Sequence, residues 1–253
     1  MLLSARATYL IVLLASPLLS QTTSSSAYLK SAAVTQAAGK VQIRAISPRP
    51  VAQILDALMD KYGWLVDYED PQYTSAKDTV EAQGPTGTTK YPSGGAFNFE
   101  FSANAPDEEK VLGQAVDAYN KTDNPGRFEL RKDADGHFHV IGNAARDEKG
   151  TIAKQSVLLD RMVSVPAEEH SITDTLNQVC EELSAQSHVQ IAIGISPRSL
   201  LEHNKVKLSG TKASARDLLK QSLQATHHKL YWRLIYDPVS QGYFLDIHSG
   251  RIS

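Results

Sequence analysis

The chain has 253 residues, a length that suits one or two domains. Hydrophobic residues make up 42% of it and charged residues 21%, which excludes a disordered chain and one built mainly of membrane spans. The 26 basic and 28 acidic side chains leave a net charge of −2, so we expect no nucleic-acid partner. Cys180 is the single cysteine, which excludes an intramolecular disulfide and a four-cysteine zinc site.

Residues 1–20 have the pattern of a secretory signal peptide. Arg6 supplies a positive charge, the apolar run Tyr9–Leu19 follows, and small residues then allow cleavage after Ser20 or as late as Ala27. The apolar run is shorter than the roughly 20 residues that a spanning helix needs. We therefore expect an exported protein, periplasmic or extracellular, with no spanning segment after cleavage. A signal that is kept as an anchor, displaying the rest of the chain, is the alternative.

The remainder of the chain has the same order of elements twice, at 41–143 and at 157–250. A polar linker at 21–40 precedes the first unit, and another at 144–156 separates the two. Both helices of each unit have apolar stripes with matching helical spacing. In the first helices the stripes are Val51, Leu55, Leu58, Met59 and Tyr62 against Ile172, Leu176, Val179, Cys180 and Leu183. In the second helices they are Val111, Leu112, Ala115, Val116 and Tyr119 against Leu218, Leu219, Ser222, Leu223 and Thr226.

Several residues mark the ends of these helices. Ser171 and Ser214 are each followed three residues later by an aspartate, a pattern that resembles a capping box. Pro50 suits the first position of a helix, and Gly63 suits its end. Short strands and two hairpins account for the rest, in the order β-α-β-β-α-β-β. We expect an α+β fold of two tandem small domains, each with two helices packed on small mixed β-sheets.

The second unit resembles the short N-terminal domain of secretins and TonB-dependent receptors, the STN domain. The resemblance rests on Val163–Pro166 before the first helix, on the strand Val189–Ile193, on the segment Leu208–Leu219 and on the final hairpin, Trp232–Ile247. The first unit fits the same scheme more loosely. Domains of this family are periplasmic docking modules without catalytic residues. The resemblance therefore implies an exported interaction module whose partner is a cell-envelope secretion or TonB-linked transport or signalling component.

His137 and His139 lie two residues apart on a predicted strand, so their side chains point to one face. Such a pair can bind zinc only with at least a third ligand, and the spacing of the acidic residues singles out none. Asp133–Gly136 resembles the start of a calcium-binding loop but lacks the later ligands, so it predicts a turn. We therefore predict no metal site. An exported metal-dependent hydrolase, built on the two histidines and carboxylates, is the alternative function.

The short motifs of common catalytic sites are missing from the sequence. It has no Gly-x-Ser-x-Gly, no His-Glu-x-x-His, no P-loop and no Gly-x-Gly-x-x-Gly. Cys180 lies on the apolar stripe of a predicted helix, which is typical of a buried hydrophobic residue rather than a nucleophile. We expect no enzyme activity, no catalytic residues and no cofactor.

The predicted partner-binding surface lies in the first unit. The segment 71–95 is rich in Gly and Pro, includes Tyr73 and Tyr91, and is predicted to be a long loop that is either functional or disordered. It leads into the strand Phe97–Phe101, on which Asn98 and Glu100 face outward. If that strand lies at a sheet edge, a partner strand can pair with it. We therefore predict that Phe97, Asn98, Phe99, Glu100, Phe101, Tyr73 and Tyr91 contact an envelope protein.

Overall fold

The computed structural model describes residues 32–46, 48–84, 87–166, 168–208 and 213–250. The predicted signal peptide, its cleavage positions and residues 21–31 lie outside the described residues. Within them, helices and several β-sheets, the largest of which is mixed, form an α+β fold, which confirms the predicted fold class.

The helices are α1 (Pro50–Tyr62), α2 (Glu108–Asn120), α3 (Ile172–Ser187), α4 (Arg198–His203) and α5 (Ala215–Gln224). The strands are β1 (Ala33–Ala37), β2 (Lys40–Ile46), β3 (Val66–Glu69), β4 (Thr79–Gly84), β5 (Gly87–Pro92), β6 (Ala96–Ser102), β7 (Arg127–Lys132), β8 (Phe138–Arg146), β9 (Ile152–Lys154), β10 (Met162–Val163), β11 (Glu169–Ser171), β12 (Ile191–Ile193), β13 (Lys205–Lys207), β14 (Ala213–Ser214), β15 (Leu230–Asp237) and β16 (Gly242–Ser249). Two single-turn 3₁₀ helices lie at Ala76–Asp78 and Leu158–Asp160.

The four predicted helices are present, but the prediction of two helices per unit is wrong for the second unit, where the six-residue α4 is a third helix. All five stripe residues of α2 and all five of α3 are buried. The hydroxyl oxygens of Ser171 and Ser214 each accept a hydrogen bond, 3.1 Å long, from the backbone N–H three residues later. Pro50 is the first residue of α1, and Gly63, with a φ of 73°, ends that helix in the left-handed conformation.

One sheet runs through both predicted units. Its strand order is β12-β16-β15-β3-β8-β7, and β9 pairs with β8 at the side. The strands β12, β16 and β15 come from the second unit, whereas β3, β8 and β7 come from the first. The junction is the parallel pair β15–β3, in which Arg233 lies opposite Tyr68 and Leu234 lies opposite Glu69. The two units therefore share a sheet instead of forming separate ones.

The helices of the two units cover opposite faces of this sheet. Trp232 and Leu234 on β15 belong to the core that contains α3 and α5. Val66 and Tyr68 on β3 belong to the core that contains α1 and α2. Leu234 and its register partner Glu69 point to the same face of the sheet. Tyr68 precedes Glu69 on β3, so its side chain points to the other face. The two cores therefore lie on opposite sides of the sheet. Polar side chains of β3 consequently point toward the second unit.

Smaller sheets complete each unit. In the first, β1, β2 and β6 form an antiparallel sheet with β2 in the middle, and α1 and α2 share a core with it. In the second, β11 pairs with β13 and β10 pairs with β14. A two-residue turn at Ala38 and Gly39 joins β1 to β2, and its φ values of 49° and 74° suit the tight turn of a hairpin.

Three segments differ from the sequence-based prediction. The predicted loop 71–95 contains a 3₁₀ turn and the hairpin β4–β5, of which residues 85 and 86 lie outside the described ranges. The predicted linker 144–156 continues β8 and then forms β9, with a charged turn between them. The end of the predicted linker 21–40 forms β1. All five residues of β1 are exposed, so it lacks the alternation of buried and exposed residues that indicates a strand. Polar composition alone does not distinguish such exposed strands from linkers.

Cys180 is buried in the core of the second unit, as predicted. Burial, with a smaller effect of Glu181, raises the pKa of its thiol to about 12. Because the thiolate is the reactive form, we expect the native protein to react about 1,000-fold more slowly with a thiol reagent at about pH 8 than an exposed cysteine does. The same chain in denaturant is the control and should react at the ordinary rate. Rapid labelling of the native chain would contradict the buried position.

Candidate functional site

β6 is an edge strand whose two faces have different roles. Phe97, Phe99 and Phe101 point into the core of the first unit and are at most 6% exposed. Asn98 and Glu100 alternate with them and are exposed. Within the described residues β6 pairs with β2 on one side and with no strand on the other. The predicted edge strand therefore exists, and its phenylalanines serve the core.

The hydrogen-bond phase shows which backbone groups of β6 face the open side. The N–H of Ala103 donates to the carbonyl oxygen of Gly39 at 2.8 Å, so these two residues form a hydrogen-bonded pair of the β2–β6 ladder. Hydrogen-bonded and non-hydrogen-bonded pairs alternate along an antiparallel ladder. The backbone N–H and C=O groups of the three phenylalanines therefore form hydrogen bonds with β2. Those of Asn98 and Glu100 point away from β2, toward the open side of β6.

A groove runs along this open edge. Asn98 and Glu100 line it on the strand side, Gln114 and Ala118 of α2 line it on the other, and its volume is about 680 Å³. The ammonium group of Lys40 lies 2.6 Å from the Glu100 carboxylate. Unpaired backbone groups next to a groove are the arrangement that accepts an added β-strand.

The two predicted tyrosines do not line this groove. Tyr73 is 3% exposed and belongs to the other core, where its ring centroid lies 6.4 Å from that of Tyr236. Tyr91 lies on β5, opposite Val80 of β4. The structure thus brings the five β6 residues together and places both tyrosines elsewhere. Burial of Tyr73 corrects its predicted role as a contact residue.

A second cluster lies at the boundary between the units. β3 and β8 run parallel, with Asp67 opposite His139. His137 immediately precedes β8, and its Nε2 atom lies 2.7 Å from Oδ2 of Asp67. Nδ1 of His139 lies 3.0 Å from that same oxygen. Asp67 and His139 are buried, whereas the His137 side chain is 28% exposed.

Further hydrogen-bonding groups contact the other polar atoms of Asp67 and His139. Oδ1 of Asp67 accepts a hydrogen bond, 2.9 Å long, from the backbone N–H of Trp232. Nε2 of His139 lies 3.4 Å from Oδ2 of Asp133, which also accepts a bond from Lys220 at 2.7 Å. The Nδ1 atom of His139 has no aligned hydrogen-bond partner, although it is buried.

The histidines shift the ionisation of this cluster. Burial disfavours the charged form of Asp67, but the hydrogen bond with His137 and the nearby imidazoles of both histidines outweigh burial and lower the pKa of the Asp67 carboxyl. Burial likewise disfavours a charged His137, yet the bond to Asp67 and the charges of Asp133 and Asp135 raise the pKa of its imidazole. A carboxylate shared by two imidazoles is therefore the favoured state of the cluster.

Asp67 is the residue that sequence reasoning missed. The spacing of the two histidines placed them on one face, but Asp67 lies 70 residues from His137 in sequence and belongs to another strand. A weak signal was present, because Asp67 is an acidic residue between the apolar Val66 and Tyr68 on a predicted strand. Its pairing with β8 rather than another strand could not be read from that pattern.

A cleft of about 450 Å³ adjoins the cluster. His137 and Trp232 line it together with charged groups of both units, including Glu108, Asp135 and Lys220. The indole Nε1 of Trp232 is buried and has no hydrogen-bond partner in the described part of the chain.

Across the described ranges, none of the helices combines the length and apolar character that a membrane crossing needs. No protein-family model, curated protein or solved structure matches this chain.

Proposed function

We propose that this chain is an exported, non-enzymatic protein-interaction module of two STN-like domains, which docks to a cell-envelope secretion or TonB-linked component. The partner supplies an extended segment that pairs with the open edge of β6. The observation that supports this proposal is the outward direction of the backbone groups of Asn98 and Glu100 beside a groove.

β6 is a better template for a partner strand than its counterpart in the second unit. It has seven residues, whereas β13 has three. Two of those three residues are lysines, and lysine on an edge strand discourages pairing with other chains. The Lys40–Glu100 ion pair lies on the exposed surface of the first unit and can exchange for charged groups of an incoming segment.

The decisive change is Asn98→Pro, because it removes an outward N–H without breaking a bond to β2. A photoreactive amino acid at Gln114 should form an adduct with an envelope protein in whole cells, and Asn98→Pro should abolish that adduct. The melting temperature should change little. Asn98→Ala keeps the N–H and should retain the adduct.

Two controls make this experiment specific. The photoreactive group at Asp117, which is exposed on the same helix but does not line the groove, should give no such adduct. Phe99→Pro removes an N–H that bonds to β2 and should strongly destabilise the fold. An adduct that survives Asn98→Pro, or one formed only with residues 1–31 of the same chain, would overturn the proposal.

A further inference from the structure

We propose that Asp67, His137 and His139 bind one divalent transition-metal ion, with Zn²⁺ as the ion of choice. Each of the three residues offers one ligand atom within 4.8 Å of the other two. From the short distances to Asp67 we assign these atoms as Oδ2 of Asp67, Nε2 of His137 and Nδ1 of His139. Two imidazole nitrogens and one carboxylate oxygen form a donor set that suits zinc and neighbouring first-row metals. This site is separate from the β6 groove.

The two distances from the Asp67 carboxylate to the histidine nitrogens fit an ion with only small adjustments. Two ligands of a tetrahedral zinc ion are about 3.3 Å apart when each metal–ligand bond is near its usual length. Oδ2 of Asp67 lies 2.7 Å from the His137 nitrogen and 3.0 Å from the His139 nitrogen. Each of these two pairs therefore needs to widen by only a few tenths of an ångström.

The second polar atoms of His139 and Asp67 are already held as a metal site requires. A metal-binding histidine usually donates its second ring N–H to a carboxylate or another acceptor. In His139 the second ring nitrogen, Nε2, lies 3.4 Å from Oδ2 of Asp133. The second oxygen of Asp67 accepts a bond from the backbone of Trp232. This arrangement leaves Nδ1 of His139 and Oδ2 of Asp67 only 3.0 Å apart, with no aligned hydrogen bond between them.

The state of His139 distinguishes a metal site from a simple ion pair. One histidine would be sufficient to pair with Asp67, and His137 does so at 2.7 Å. His139 adds a second, buried ring nitrogen that approaches the same oxygen without an aligned hydrogen bond. Such an orphaned polar atom is costly in a core, and coordination to a metal ion would satisfy it.

The fold itself does not require these residues. In the second unit the parallel pair β12–β16 corresponds to β3–β8. Its paired residues are Ile191 with Tyr243, Ala192 with Phe244 and Ile193 with Leu245. No histidine or carboxylate occurs among them, so packing at this place in the fold is satisfied by apolar and aromatic side chains. The polar set of the first unit therefore calls for another explanation, which a metal ion provides.

The exposed edge of His137 opens onto the 450 Å³ cleft, which gives an ion a path to the ligands. Three protein ligands leave one coordination position of a tetrahedral zinc ion free. A water molecule or a small anion is the ligand that such a position takes.

The test uses the purified full chain, stripped with a chelator and titrated with ZnCl₂. We expect one zinc ion per chain by elemental analysis after desalting, and a higher melting temperature with zinc. His137→Gln changes the most exposed ligand and should weaken zinc binding by more than the roughly 10–100-fold that loss of an outer-shell partner costs. Asp133→Asn changes such a partner and should weaken binding within that range.

His228→Gln is the matched control, because His228 lines the same cleft but is not one of the three ligands. It should bind zinc as the unchanged chain does, and so should Asn98→Pro. Co²⁺ gives a second readout, since its visible absorption should change in His137→Gln. Substoichiometric zinc, binding only at millimolar zinc, or equal affinity in His137→Gln and the unchanged chain would overturn the proposal.

Discussion

Arg216→Met should lower the free energy of unfolding by about 3–5 kcal/mol, the cost of leaving a buried carboxylate without its cation. Arg216 of α5 is 6% exposed and forms a two-pronged contact with Glu69 of β3, which is 2% exposed. Nη2 of Arg216 also lies 3.0 Å from Oδ1 of Asp160. The change would leave Glu69 inside the boundary between the units without a positive partner. Urea unfolding followed by circular dichroism measures the loss.

The pH dependence of this loss has a definite sign. Burial raises the pKa of Glu69 above its ordinary value, although Arg216 opposes the rise. Without Arg216 the folded-state pKa rises further, so the folded variant holds a proton that the unfolded chain has released. The stability of the variant then falls as pH rises from the unfolded-state pKa of Glu69 to its higher folded-state pKa. The difference between the variant and the unchanged chain should therefore shrink from about pH 7 to about pH 5.

Arg131→Met is the matched control for the first prediction. Arg131 contacts the same Asp160 at 2.8 Å, but its side chain is 39% exposed. Solvent screens exposed ion pairs, so this change should cost less than about 1 kcal/mol. The double variant Arg216→Met/Glu69→Leu removes both buried charges and should recover most of the lost stability. An Arg216→Met variant as stable as Arg131→Met would show that the buried pair does not hold the units together.

Four of the five helices were predictable from the sequence because their signals are local, whereas the six-residue α4 was not predicted. The stripe of α3 and the cap at Ser171 occur within one stretch of chain, and each has a direct physical cause in helix geometry. The same holds for the end of α1 at Gly63. Nothing in those signals depends on a distant partner.

Strand partners were not predictable, because pairing depends on residues far apart in the chain. The pattern at Trp64–Tyr68 predicts a strand but not that β3 lies between β8 and β15. That position makes one sheet out of two units and brings Asp67 to the histidines. The edge of β6 was predictable only as a hypothesis, since alternation of phenylalanines with polar residues fits an edge strand and a half-buried interior strand equally well.

Because the sheet is shared, Leu58→Ala in the first unit should also destabilise the second. Leu58 on α1 is fully buried, so its truncation should cost about 2–5 kcal/mol. If the first unit unfolds, β15 loses its neighbour β3. The backbone N–H of Trp232 then loses Asp67, and the N–H of Tyr236 loses the carboxylate of Asp70, to which it donates at 3.0 Å. We therefore expect the two units to unfold in one transition.

Native-state hydrogen exchange tests this expectation helix by helix. In Leu58→Ala, the most protected amides of α3 should lose as much protection as those of α1, because both exchange through the same global unfolding. Leu176→Ala is the reciprocal variant, since Leu176 is fully buried on α3, and it should lower protection in α1. If each variant lowers protection only in its own unit, the units are independent domains that merely touch through β3 and β15. Equal losses of protection in α1 and α3 would instead show that the β15–β3 junction belongs to a single folding unit. The β6 edge and the Asp67 cluster would then depend on the stability of the second unit as well.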